Sequence, residues 1–323
     1  MINASEVARN CNVSLNTIKS DLDILFGMEN IKRTKPKTGK ILLTSEQARK
    51  VYDKRNCRFL QRIVTFGNQK GGVGKSLLTT NTAIKKAKEG ARVLIIDLDP
   101  ESCASNFLLN IDELSKDYKT MLEVFRDNLV FKDAIKKTKY ANLDIVPCKS
   151  AARRVDKFVQ NENLSTLMSK KMIGLEEYDL IFFEIPPTFS TLIESAYITS
   201  DLVVMPCFPD SWSIESSFLT NEDILESAEK WNIDPPEIRI ILNKFNDKRN
   251  ASQEAWKVLT NEFGEKVLPF TIKDTAELQN SINDGKSIFD KGVRASKLLK
   301  ESFSDLANTV CPIVQTETTR TIQ

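Results

Sequence analysis

The 323-residue chain contains no histidine at all. Ser-His-Asp nucleophilic catalysis, histidine acid–base chemistry and His-ligated zinc are thereby excluded. Cysteine is sparse: six residues, at 11, 57, 103, 148, 207 and 311, with no C-x-x-C pair. Such scatter reads as reduced, mostly buried thiols of a cytoplasmic protein rather than a metal site or a disulfide framework. No apolar run approaches the ~18 residues of a membrane span, and no signal peptide opens the chain. Internal repeats and low-complexity tracts are missing as well. What remains is a chain with 41% hydrophobic residues, long enough for one large α/β domain and a small one. Its net charge of +2 hides an asymmetry, because residues 1–62 carry 13 Lys/Arg against 6 Asp/Glu. The N-terminal segment is a basic unit, which points to a polyanionic partner.

The most informative stretch is 63–76, IVTFGNQKGGVGKS. A buried strand, Ile63–Phe66, delivers the chain to a glycine-rich turn, and a helix beginning near Lys75 leaves it. Gly71, Gly72 and Gly74 let the backbone turn its N–H groups, including those around Val73 and Leu77, toward a bound phosphate. The helix N-terminus adds positive potential at the same place. The spacing predicts Lys75 on the β- and γ-phosphates of ATP and the Ser76 hydroxyl on Mg²⁺. The pattern departs from G-x-x-x-x-G-K-[ST] at its first position, which is Gln69, and it carries a second lysine, Lys70.

Lys70-Gly71-Gly72-Val73-Gly74-Lys75-Ser76, followed by Asp97-Leu98-Asp99-Pro100, resembles the deviant Walker A ATPases of the ParA/MinD group, and Asn68-Gln69 favours the ParA branch. Matches run to about residue 310. The resemblance implies a catalytic set of Lys70, Lys75 and Asp99, with Lys70 reaching across a homodimer to the partner's ATP. It places Asp97 in the Mg²⁺ shell, Asp99 near the attacking water and Asn243 against adenine. Glu184 stands where the family has aspartate, and would hold Mg²⁺ through water. Ile185 replaces a threonine and Glu101 a glutamine, so hydrolysis is expected to be slow and partner-stimulated.

Upstream, residues 3–26 contain two short helical patterns around a turn at Asn12-Val13-Ser14. Asn3 or Ser5 caps the first and Ser14 the second, with Leu15, Ile18, Leu22 and Leu25 inward. A basic stretch follows, Lys32, Arg33, Lys35, Lys37 and Lys40 around Pro36 and Gly39. Helix plus wing resembles the winged helix-turn-helix of MerR-type regulators, with Asn16, Thr17, Lys19 and Ser20 on the recognition helix. Asp21 and Asp23 on that helix argue against DNA unless they face away from it.

The expected organisation is a winged helix-turn-helix domain over 1–44, a helical connector over 45–62, an ATPase domain over 63–310 and a flexible tail over 311–323. The fold class is α/β, a doubly wound and mainly parallel sheet with a short edge strand at Lys266–Pro269. The resemblance further implies an ATP-dependent dimer on nucleoid DNA, with Lys273, Lys291, Arg294 and Lys297 as C-terminal DNA contacts. It also implies a centromere-binding ParB-like partner and no membrane. Function is read as plasmid or replicon partition, with autorepression through the N-terminal domain. The competing reading is a transcription regulator that uses ATP as a conformational ligand with little or no hydrolysis.

Overall fold

Strands that are apolar along their whole length belong in a sheet covered on both faces, and four stretches of this chain have that character. In the computed structural model, which describes residues 1–35, 39–109, 118–160 and 162–316, twelve strands occur. The short N-terminal ones are β1 (Ile2–Asn3), β2 (Lys32–Arg33), β3 (Ile41–Leu43) and β4 (Cys57–Phe59). The large sheet uses β5 (Arg62–Phe66), β6 (Val93–Asp97), β7 (Lys136–Lys137), β8 (Leu143–Val146), β9 (Leu180–Glu184), β10 (Leu202–Cys207) and β11 (Glu237–Leu242). The last strand is β12 (Ile313–Gln315).

The seven strands lie in the order β11-β10-β5-β9-β6-β8-β7. All pair in parallel except the edge strand β7. Alternate residues serve opposite faces: Val93 and Ile95 enter one apolar layer, Leu94 and Ile96 the other. Parallel pairing brings the carboxyl ends of β5, β6, β9, β10 and β11 to one edge, where open α/β sheets bind ligands. Register sets Asp97 directly opposite Glu184 there.

The N-terminal segment forms a three-stranded sheet, β1-β3-β2, with helices Ala4–Asn10 and Leu15–Phe26. Asn3 caps the first helix, accepting from the Ser5 amide at 3.0 Å, and Ser14 caps the second, accepting from Thr17 N–H at 3.1 Å. Asp21 turns inward, 2% exposed, and is held by Arg55 at 2.5 Å and Lys54 at 3.2 Å. It is therefore removed from any face the helix offers to an anion. Leu25, expected inward, is instead 36% exposed, and the buried contact of this helix is filled by Ile18 and Leu22.

This segment shares one apolar layer with the sheet. Helix Ser45–Lys54 packs on the helix Lys75–Glu89 that follows the glycine-rich turn. Arg49 bridges to Asp179 at 2.5 Å and donates to the Gly90 carbonyl at 3.1 Å. Residues 45–62 are thus helical only to Lys54, and then supply β4 and the start of β5. The tail does not begin at 311. Cys311 is buried, and Ile313–Gln315 pairs antiparallel with Phe59–Cys57, giving those residues backbone partners. The strand expected at Lys266–Pro269 reduces to a single bridge between Val267 and Ile240. Pro36, Lys37 and residues 317–323 lie outside the described residues.

Candidate functional site

The turn between β5 and the helix Lys75–Glu89 is fixed by side chains from the neighbouring strand and helix. Asn68 is buried. Its amide donates to the Pro206 carbonyl at 3.0 Å and the Ser217 hydroxyl at 3.1 Å. Its Oδ1 accepts from the Lys70 amide at 2.9 Å and Ser216 at 2.6 Å. Gln69 N–H donates to the Thr220 hydroxyl at 3.2 Å, and the Gln69 side chain to Asp223. The first half of the turn is thereby pinned to helix Ser211–Lys230.

Gly72 and Gly74 have φ of +77° and +94°, the left-handed region glycine enters without strain. At Gly74 a Cβ would also collide with the Asn243 amide nitrogen. That nitrogen donates to the Val73 carbonyl at 2.9 Å, and Asn243 Oδ1 accepts from Lys244 N–H at 2.9 Å. The structure therefore sets Asn243 as a strut under the turn, with both ends of its amide engaged. Gly74 caps the helix with no side-chain bond, so the first-turn N–H groups of Lys75, Ser76 and Leu77 are uncapped. Lys75 is buried, and its ammonium donates to the carbonyls of Asn68 at 3.0 Å and Lys70 at 3.2 Å. Burial lowers its pKa, against the pull of Glu184 and Asp99. A buried cation beside the uncapped first-turn N–H groups of a helix is chemistry suited to a polyphosphate.

Three carboxylates face this turn with different states of satisfaction. Asp97 is fully buried. Oδ1 accepts from Asp99 N–H at 3.0 Å, and Oδ2 from Ser105 N–H at 3.0 Å and Ser105 Oγ at 2.6 Å. Burial still pushes its pKa up to about 7. Asp99 is anchored through the Glu101 amide at 2.8 Å, and burial raises its pKa as well. Glu184 is fully buried, and neither oxygen receives a hydrogen bond of normal geometry. Burial and then the Asp97 charge raise it to about 8, while the adjacent Ser76 and Thr79 hydroxyls work the other way. A buried carboxylate without donors, beside a serine hydroxyl, fits the oxygen-only coordination of Mg²⁺. Among the described residues no cluster of three or more His, Cys, Asp or Glu side chains forms a self-sufficient metal cage.

Lys70 takes a partner outside the turn, unlike Lys75. Its ammonium pairs with Asp210 at 2.6 Å, at the N-cap of helix Ser211–Lys230. Sequence reasoning misses Asp210, Asn68, Ser105 and Asp223 as parts of the site. Most of their partners lie 8 to 154 positions away, and the local signals are Asn68-Gln69 ahead of the turn and Pro209-Asp210-Ser211 as a helix start.

The N-terminal candidates divide by exposure. Asn16, Ser20, Lys32, Lys35 and Lys40 are exposed, whereas Arg33, Thr17 and Lys19 are half-buried. Thr17 shares a hydrogen bond with Ser14 at 2.8 Å. Lys291 and Arg294 are exposed, Lys297 pairs with Glu301 at 3.4 Å, and Lys273 is engaged by Asp247. Among the described residues no helix is long and apolar enough to cross a membrane.

The family described as AAA domain matches residues 61–233. The cell division protein PomZ of Myxococcus xanthus is 27% identical over 245 residues, covering 75% of this chain and 76% of PomZ. The chromosome partitioning protein ParA of Caulobacter vibrioides is 26% identical over 234 residues, covering 70% of this chain and 86% of its own. Among solved structures, an ATP complex of McdA from Cyanothece superposes with a TM-score of 0.69 at 17% identity, covering 77% of this chain and 96% of McdA. At that identity the likeness establishes the fold.

Proposed function

The chain belongs to the AAA domain family, and from that premise we propose that it is a ParA-type P-loop ATPase that partitions DNA. It binds MgATP at the turn 69–76, dimerises on DNA and hydrolyses ATP slowly. One observation carries the reading. Buried Lys75 and the donor-free carboxylate of Glu184 face the same turn on one sheet edge. The lysine answers a triphosphate, and the carboxylate answers its cation.

In this reading the N–H groups from Gly71 to Leu77 hold the phosphates, and Lys75 neutralises charge on the transferred group. Ser76 and Glu184, the latter through water, hold Mg²⁺, which supplies further charge neutralisation when bound. Asp97, already saturated by three protein donors, positions the Asp99-Pro100-Glu101 turn and Ser105. Asp99 orients the attacking water. Lys70 leaves Asp210 to reach the nucleotide of a second copy. The basic N-terminal segment acts as a winged helix-turn-helix on an operator or partition site. Lys291, Arg294 and Lys297 add non-specific phosphate contacts, whereas Lys273 joins them only by giving up Asp247. A centromere-binding protein stimulates turnover, and the ATP form resides on the nucleoid.

The test is affinity for random-sequence duplex DNA at fixed salt with no nucleotide, ADP or a non-hydrolysable ATP analogue, beside a Lys75→Ala control. Strong binding with the analogue alone, lost in the control, is the expected result. Equal binding in all states overturns the ATP switch and leaves a DNA-binding regulator. Absence of binding in every state moves the N-terminal segment to a protein-docking role.

A further inference from the structure

Two cysteines far apart in the chain meet inside the N-terminal segment. Cys11 caps the helix Ala4–Asn10, Cys57 opens β4, and both are free and buried. The Cys11 thiol is hydrogen-bonded to that of Cys57, which donates onward to the Arg55 carbonyl at 3.6 Å. Cys148, Cys207 and Cys311 instead direct their thiols to backbone carbonyls, at 3.8, 3.3 and 3.3 Å. The backbone around the pair is fixed. Cys11 N–H donates to the Val7 carbonyl at 3.0 Å, and the Gln315 amide donates to the Cys11 carbonyl at 3.2 Å. Gln315 is also the residue directly opposite Cys57 in the ladder between β12 and β4. Opposed residues project to the same face of a sheet, so one side chain of β12 touches the first cysteine and flanks the second.

Burial, and then the neighbouring Cys57, push the Cys11 thiol up to about 12. A thiol in that state is inert. Arg55, anchored to Asp21 at 2.5 Å, nevertheless places a guanidinium close enough to both sulfurs to feel their charge. Lifting β12 returns the thiols to water beside that cation, and both changes favour the thiolate. We propose that Cys11 and Cys57 form a redox site, converted to a disulfide by a small-molecule disulfide when β12 opens. The step is thiol–disulfide exchange. One cysteine thiolate bonds to a sulfur of the small disulfide, whose own S–S bond breaks and releases a small thiol. The second cysteine then bonds to the first and displaces the other small thiol. The protein gives up two electrons and two protons, and the small disulfide leaves as two thiols. The new bond closes a loop that contains the helix Leu15–Phe26 and the basic residues Lys32, Arg33 and Lys40, and so stiffens that module. Neither cysteine belongs to the nucleotide turn, and the site stands independently of the ATPase reading.

The test incubates the full chain with oxidised glutathione, quenches in acid, blocks remaining thiols with N-ethylmaleimide in denaturant and maps tryptic peptides by mass spectrometry. A linked Cys11–Cys57 peptide, released by dithiothreitol, is expected, and the exposed Cys103 reports that the oxidant has acted. C11S and C57S are each expected to abolish the linked peptide. Cys11 and Cys57 both recovered as free thiols once Cys103 carries glutathione overturns the proposal. So does either one linked mainly to another cysteine or left as a lasting mixed disulfide with glutathione. V314P removes a backbone donor from β12 and is expected to speed cross-linking at least about ten-fold. An unchanged rate overturns the opening of β12 as the route. The oxidised wild type is expected to melt several degrees above the reduced chain, with no such rise in C11S. A lower melting temperature shows that the bond forms only by distorting the fold, and overturns the site. A chain that cross-links in this pattern but does not bind ATP overturns the ATPase reading alone.

Discussion

Lys75 is held by two backbone carbonyls, and burial works against its charge. Its replacement removes a group whose electrostatic demand is best met by an anion. Lys75→Ala is expected to weaken ATP binding by about 1.5–3 kcal/mol, the worth of a charge-assisted hydrogen bond, as read by titration calorimetry. Glu184 predicts an opposite balance between stability and function. Its carboxylate is buried without donors and carries a raised pKa, so ionisation destabilises the fold. Glu184→Gln is expected to keep or raise the melting temperature without Mg²⁺, while the Mg²⁺ dependence of ATP affinity flattens. A variant that melts lower and retains full Mg²⁺ dependence would contradict this. Lys75 and Ser76 are legible in the sequence because the turn is contiguous. Glu184 is legible as a carboxylate at a strand end, but its lack of donors depends on packing between strands far apart in the chain. The roles of Asn68 and Asp210 rest on partners roughly 140 positions away, a distance over which one sequence carries no signal.

Helix and strand identities follow from local pattern. β6, β8, β9 and β10 are buried along their whole length, so their membership of a parallel, doubly covered sheet can be read directly. That of β4 and β12 cannot. Each is three residues long, and each is a strand only because the other exists. The helix Lys75–Glu89 ends at Gly90, whose φ is +110°, and a Cβ there would lie 2.7 Å from the Ser45 carbonyl oxygen. Gly90→Ala therefore strains the cap and pushes helix Ser45–Lys54 off its seat. An expected loss of about 1–3 kcal/mol follows from positive-φ strain plus the clash, measurable by denaturant unfolding. A loss confined to below about 0.5 kcal/mol, the scale of ordinary surface changes, would show that the two helices are loosely joined.

At the scale of the molecule, one helix, Lys75–Glu89, gathers ion pairs within itself, to the N-terminal segment and to the C-terminal part of the chain. Glu6 meets Lys85, and Lys85 and Lys86 meet Glu89 at 2.9 and 2.8 Å. Lys88 meets Asp290 at 2.7 Å. Burial opposes ionisation of Glu89, Asp290 and Asp21, but the lysine and arginine partners outweigh it and hold all three below their usual values. A carboxylate with a depressed folded pKa stabilises fully above its unfolded pKa, about 4, and loses that contribution as pH falls through the folded value. The contribution of these three groups to the melting temperature is therefore expected to be complete near neutrality and to be lost below about pH 4. D21N is expected to flatten part of that acid limb, and an unchanged limb would show that the Asp21–Arg55 pair inside the N-terminal segment contributes little.

The pairing of β12 with β4 also fixes an order of events. Thr316 donates to the Asn56 carbonyl at 2.8 Å across 260 positions, and Gln315 reaches the Cys11 carbonyl at 3.2 Å. Loop closure on that scale is entropically slow to find. During synthesis the N-terminal segment emerges first, and its clasp follows only 260 positions later. The nascent N-terminal module must wait, with β4 unpaired, until β12 has been made.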